Sequence, residues 1–141
     1  MEFQFDDGGR KEAGFKGTSE DCVVRAIATA TGIPYEQVYK DINIMGKSER
    51  VGSRKKIKST SRNGVYKTTY HKYLLSKGWQ WVTTMGIGTG CQVHMRKDEL
   101  PEDTIIARLS KHLTVVTNGI IHDTSDPSRG GTRCVYGYYV K

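Results

Sequence analysis

The chain has 141 residues, 36% of them hydrophobic, and a net charge of +7. That length suits a single domain spanning residues 1–141 with a modest core. No apolar run reaches the ~18 residues that a membrane-spanning helix needs, and Met1-Glu2-Phe3-Gln4-Phe5-Asp6-Asp7 lacks the basic-then-apolar order of a secretory signal. Membrane-embedded functions are excluded on this reading, and a cytoplasmic location is expected. The three cysteines, Cys22, Cys91 and Cys134, are then expected as free thiols in a reducing compartment.

In chain order, residues 1–17 show little periodicity and are expected to contribute one short strand near Phe3 and Phe5. A first helix is predicted over residues 20–31. Ser19 is its expected N-cap, Glu20 and Asp21 lie in the first turn, and Cys22 falls at the third helical position. Val23, Ala26, Ile27 and Ala30 supply the apolar face, and Gly32 ends the helix. Pro34 opens a second helix at its first position, with Tyr35, Val38, Tyr39 and Ile42 on one face and an end near Ile44.

Residues 46–66 are polar and basic, and read as a long, flexible loop. A basic stretch is most simply a solvated surface. It also makes Arg54, Lys55, Lys56 and Lys58 candidate contacts for nucleic acid or an acidic protein. A third helix is predicted over residues 68–76, ended by Gly78.

Beyond Gly78 the pattern becomes extended. Strands are predicted over residues 79–84, 104–109, 113–117, 120–124 and 134–140. The glycine-rich stretch 85–90 lacks the spacing of a dinucleotide fingerprint and is expected to be a loop bordering a cleft. Cys91 and His94 have no second ligand pair, so no metal is expected, and nothing calls for a cofactor. Cys134 is expected in a core strand. Trp79 and Trp81 share a strand face and are expected in the core. Helices followed by strands give an α+β domain, with N-terminal helices packed on a C-terminal antiparallel sheet.

Two stretches carry chemistry. A thiol at a helix N-terminus ionises more easily and becomes a better nucleophile. Glu20 and Asp21 oppose that effect, so Cys22 needs a basic partner; the bland alternative is a small buried core cysteine. The second stretch is the hairpin at Asn118-Gly119, whose turn signal sets a register. Thr117 then faces Ile120, Val116 faces Ile121, and Thr114 faces Asp123. His112, Thr114, Val116, Ile121 and Asp123 share one face, with Asp123 diagonal to His112. That is the arrangement of a base and its orienting carboxylate. The alternatives are an exposed strand start for His112 and a turn former for Asp123, with Asp126 as a second-choice partner.

The cysteine opening a helix, the later histidine opening a strand, and the acid on the return strand resemble papain-like cysteine peptidases. Asp21-Cys22-Val23-Val24-Arg25-Ala26-Ile27 is similar to the nucleophile helix of ovarian-tumour-type deubiquitinases, and an acid before the cysteine also occurs in bacteriocin-processing peptidases. Asp21-Cys22, Arg25-Ala26, Thr31-Gly32, Pro34-Tyr35 and the later Ser110-Lys111-His112, Asn118-Gly119 and His122-Asp123-Thr124 resemble small phage and bacterial proteins of this type. The resemblance runs from Thr18 onward and omits the basic loop.

It implies a papain-like fold and hydrolysis of peptide or isopeptide bonds on a protein or peptide substrate, in the host cytoplasm if phage-encoded. Cys22 is the implied nucleophile, His112 the general base and later acid, and Asp123 the orienting residue. The Cys22 backbone N–H is one implied oxyanion donor. The family's glutamine upstream of the cysteine is absent here. Lys16 stands six residues before Cys22, and Lys16, Thr18 and Ser19 are the candidate substitutes. An alternative is an inactive binding module of the same fold that uses the basic loop. Nucleic acid is its less favoured partner, because the loop lacks interleaved aromatics apart from Tyr66.

Overall fold

The apolar spacing of residues 23–28 builds the helix against which the rest of the chain packs. A computed structural model describes residues 1–54 and 56–141. In α1 (Cys22–Thr31), Val23, Val24, Ala26, Ile27 and Ala28 are buried. Gly32 takes the left-handed conformation, with φ 76°, and its N–H donates to the Ala28 carbonyl, which glycine allows at little steric cost. The start differs from expectation. Asp21, not Ser19, is the N-cap, and it makes no side-chain capping bond, because its carboxylate is taken by Tyr35 and Arg25. Cys22 is therefore the first helical residue rather than the third.

Helix α2 (Tyr35–Lys47) packs on α1, and α3 (Lys67–Ser76) packs on α2. Among the described residues the strands of the sheet are β1 (Glu2–Phe5), β2 (Gln80–Thr83), β3 (Thr104–Leu109), β4 (His112–Thr117), β5 (Ile120–Asp123) and β6 (Gly137–Val140), in the order β1-β5-β4-β3-β6-β2. The expected mixed α+β class holds. The sheet, however, is neither wholly antiparallel nor wholly C-terminal, because β1 precedes the helices and pairs parallel with β5.

Both faces of the sheet are covered. On the helical side Ile27, Val38, Leu74, Ile106, Val115 and Tyr139 form one core, and on the other Met95, Ile105, Ala107, Leu109, Val116 and Ile121 form a second. The alternation of Ile105, Ile106 and Ala107 between the two is the period-2 signature of a strand buried on both faces. Trp79 precedes β2 and is buried in the helical-side core, while half-buried Trp81 packs on Tyr139.

The basic stretch departs from a simple flexible loop. Its second half folds back on α2. Ser61 N donates to Asn43 Oδ1 at 2.8 Å and Ser61 Oγ to the Tyr39 carbonyl at 2.6 Å, with Ser59 and Ser61 both buried. Small hydroxyl residues there satisfy the backbone of a buried crossing, which polarity alone does not distinguish from a solvated loop.

The expectation of three free thiols is also corrected. Cys91 and Cys134 are joined by a disulfide with Cα atoms 5.9 Å apart, and only Cys22 is free. The segments bearing them pair through Val135 N–H to the Val93 carbonyl (2.8 Å) and Met95 N–H to the Arg133 carbonyl (3.0 Å), with a bridge between His94 and Cys134. Cys134 thus lies ahead of β6 rather than inside it, and the cysteine count no longer argues for a reducing compartment. No described helix is long and apolar enough to cross a membrane.

Labelling in denaturant without reductant is expected to modify Cys22 alone. Because the bridge closes a separation of 43 residues, reduction lowers the unfolding free energy by about 4 kcal/mol on the loop-entropy model, read as a shift in the denaturation midpoint. A Cβ on Gly46 would overlap the Ser59 carbonyl, whereas one on Gly52 meets open space. Gly46→Ala therefore costs about 1–3 kcal/mol, and Gly52→Ala stays within about 0.5 kcal/mol in thermal unfolding.

Candidate active site

Cys22 opens α1, His112 opens β4 and Asp123 closes β5. The hairpin that carries the last two has the register expected from Asn118-Gly119. Thr117 pairs with Ile120 and Val116 with Ile121, and the turn residues have φ 49° and 81°, as a primed two-residue turn requires. On the other side of β4, Leu109 pairs with His112 across the Ser110-Lys111 turn.

His112 Nε2–H donates to Asp123 Oδ2 at 2.7 Å. The same carboxylate accepts from Thr114 Oγ1 at 2.7 Å, and its Oδ1 accepts from Thr124 N–H at 2.7 Å. Asp123 is buried, and these donors hold it ionised. Burial alone would raise its pKa, but the bonds from His112 and Thr114 keep it below the usual carboxylate range. With Nε2 engaged, the remaining ring nitrogen of His112 is the one left for the thiol, and the Cys22 and His112 side chains hydrogen bond.

Burial alone would push the Cys22 thiol up and the His112 ring down. The hydrogen bonds that link them to each other and to Asp123 outweigh it. The thiol pKa falls below its ordinary value, and that of His112 rises to about 9. A depressed acid beside an elevated base favours the thiolate–imidazolium pair at neutral pH.

Asp21, one residue before the thiol, does not act as the free negative charge its position suggested. It is 1% exposed. Tyr35 donates its hydroxyl to Oδ2 at 2.6 Å, Arg25 pairs with Oδ1, and Arg10 Nε lies 3.4 Å from Oδ2. Arg25 also reaches Asp123 Oδ1, at 3.8 Å. One guanidinium thus links the helix start to the strand end that holds the imidazole's partner.

The other candidates lie elsewhere. A cleft of about 370 Å³ opens beside Cys22 and His112, and Lys16, Thr18 and Ser19 do not line it. The Lys16 carbonyl accepts from Arg10, the Thr18 carbonyl accepts from Arg62, and Ser19 bonds the Asp21 carboxylate. Asp126 caps its own turn through Ser128 N–H at 2.9 Å rather than meeting His112. Residues 85–90 do not border this cleft. Arg54, Lys56 and Lys58 are exposed, with Lys58 Nζ donating to the Lys47 carbonyl at 2.8 Å; Lys55 lies outside the described residues. Among the described residues no cluster of three or more His, Cys, Asp or Glu is arranged to hold a metal.

Sequence reasoning missed Arg25, Tyr70 and the loop wall Gly64-Val65-Tyr66. Arg25 had a signal, since it stands four residues after Asp21 on one helix face. Tyr70 falls inside the predicted third helix, where an aromatic residue carries no signal beyond packing. It lines the cleft and is 6% exposed, burial raises its pKa to about 12, and its hydroxyl makes no hydrogen bond among the described residues. No protein-family model, curated protein or solved structure matches the chain.

The ion pair has a measurable consequence. Cys22 is expected to react with iodoacetamide at pH 6 about tenfold or more faster than glutathione. Its rate is expected to change again as His112 loses its proton near pH 9. In His112→Ala, labelling of Cys22 should follow the rising profile of an ordinary thiol; mass spectrometry at Cys22 reads all three.

Proposed function

We propose that the chain is a cysteine hydrolase of papain-like fold that cleaves peptide or isopeptide bonds. The observation carrying this reading is that Cys22 and His112 line one open cleft, with His112 hydrogen bonded in turn to the buried Asp123. Structural histidines and cysteines are seldom joined in series to a buried carboxylate beside a substrate-sized hollow.

The Cys22 thiolate attacks the carbonyl carbon, and the electron pair moves to the carbonyl oxygen. The Cys22 backbone N–H, at the first helical position, points a free donor toward that developing charge. Tyr70, a neutral phenol with an unengaged hydroxyl in the same cleft, supplies the second donor in place of the missing glutamine. The His112 imidazolium passes its proton to the leaving amine as the C–N bond breaks, leaving a thioester. Water, deprotonated by the now neutral His112, then attacks the thioester and releases the acid and the thiol.

The test is a digest of a proteome-derived peptide library and of lysine-linked isopeptides, with new termini read by mass spectrometry. Wild type is expected to cleave and Cys22→Ala not to. His112→Ala is expected to fall on the order of 10³-fold or more and Asp123→Asn on the order of 10²-fold or more. Tyr70→Phe should lose about 10²-fold in turnover while its iodoacetamide profile at Cys22 stays that of wild type. Wild type and Cys22→Ala that both leave every bond intact, yet bind a partner equally, would instead mark an inactive binding module.

A further inference from the structure

Three cations line the cleft beside Cys22 and His112: Lys67, Arg108 and Lys111. Arg108 lies on β3 next to Leu109, the cross-strand partner of His112. Its guanidinium stands over the rings of Trp81 and Tyr136 at 5.8 and 5.7 Å. Aromatic faces hold an arginine in place without consuming its N–H donors, which stay free for a planar oxyanion.

Lys111 immediately precedes His112 and sits at φ 56°. Glycine takes that conformation freely and lysine does not, so a charged side chain is held at this turn against backbone preference. Lys67 is the exposed first residue of α3. None of the three forms an ion pair among the described residues. The one acid lining the cleft, Glu20, is exposed and leaves the cations in excess. Lys67 and Arg108 also line a neighbouring hollow of about 240 Å³ with His71 and Tyr139. They therefore stand where a chain leaving Cys22 would pass from one depression to the next.

We infer that this site selects substrates carrying a carboxylate close to the scissile carbonyl, held by Arg108 with Lys67 and Lys111. The carboxylate is an Asp or Glu side chain or a chain-terminal carboxyl group. This rests on the thiol-hydrolase reading above and adds its substrate class.

The experiment alkylates Cys22 with matched pairs of electrophiles and reads each second-order rate by mass spectrometry. One pair is acetyl-Ala-Glu and acetyl-Ala-Gln chloromethyl ketones; the other is bromoacetyl-glycine and bromoacetyl-glycinamide. Each ratio is divided by the same ratio for glutathione. The anionic member of at least one pair is expected to react fivefold or more faster than its neutral twin, and the advantage should shrink in high salt. A preference in the first pair assigns a side-chain carboxylate, and one in the second a terminal carboxylate. The ratio should fall toward one in Arg108→Gln, and partly in Lys67→Gln and Lys111→Gly; the last two alter exposed positions, and the glycine suits its backbone, so folding is preserved. Arg108→Lys should restore part of it.

Equal rates within both pairs, with Cys22 still fast toward iodoacetamide, overturn the inference and leave the hydrolase reading standing. A Cys22 inert to iodoacetamide at neutral pH overturns the reading beneath it. Equal pairs together with a single-stranded oligonucleotide that blocks alkylation overturn it in favour of a nucleic-acid site.

Discussion

The contact on which the rest of the site depends is the two-sided grip of Arg25. Its guanidinium pairs with Asp21 at the start of α1 and reaches Asp123 at the end of β5. Asp21 is almost wholly buried, and burying a carboxylate is tolerable only when donors surround it. Tyr35 from α2 and Arg10 from the N-terminal segment complete that shell. The same atoms that satisfy a buried charge thus lock the helix start against the sheet, and the thiol is positioned as a by-product of that lock. Cys22 sits one residue further along, where α1 begins, and His112 opens β4 beside it.

This arrangement explains why the pKa of the Cys22 thiol is lowered despite its acidic neighbours. A free Asp21 would oppose the thiolate; an Asp21 shared among two guanidinium groups and a phenol does not. The His112 ring is held in one orientation by Asp123, which is itself held by Thr114 and Thr124. Asp123 is thus fixed by partners outside the Cys22–His112–Asp123 series, which favours a preorganised geometry.

Much of this was legible because local rules suffice for it. Asn118-Gly119 carries its own turn geometry, and that geometry places Thr114, Asp123 and His112 on one side of a hairpin without any tertiary information. The helices followed from apolar spacing and from glycine at the end of α1. What was not legible depends on chain segments meeting from afar. β1 finds β5 in parallel, a pairing that leaves no turn signature. Cys91 meets Cys134 because two irregular segments happen to ladder. Ser59 and Ser61 are buried under α2 although their neighbours are charged. Tyr70 looks like any helical core aromatic until the cleft on its far side is seen. The start of α1 was misplaced for a related reason: Ser19 was expected to cap it, but Asp21 stands at the cap, with its carboxylate engaged by Arg10, Arg25 and Tyr35.

The parallel pairing of β1 with β5 has a consequence for when the protein becomes what it is. Asp6 N–H donates to the Asp123 carbonyl at 2.8 Å, so β1 waits for a strand made much later in synthesis. Cys22 emerges early, while His112 and Asp123 are still unmade. Until they arrive, its sulfur has neither the imidazole that draws off its proton nor the sheet that buries it. Folds that rely on such distant pairings form slowly, and here the surroundings of the thiol are complete only when β1, β4 and β5 have met.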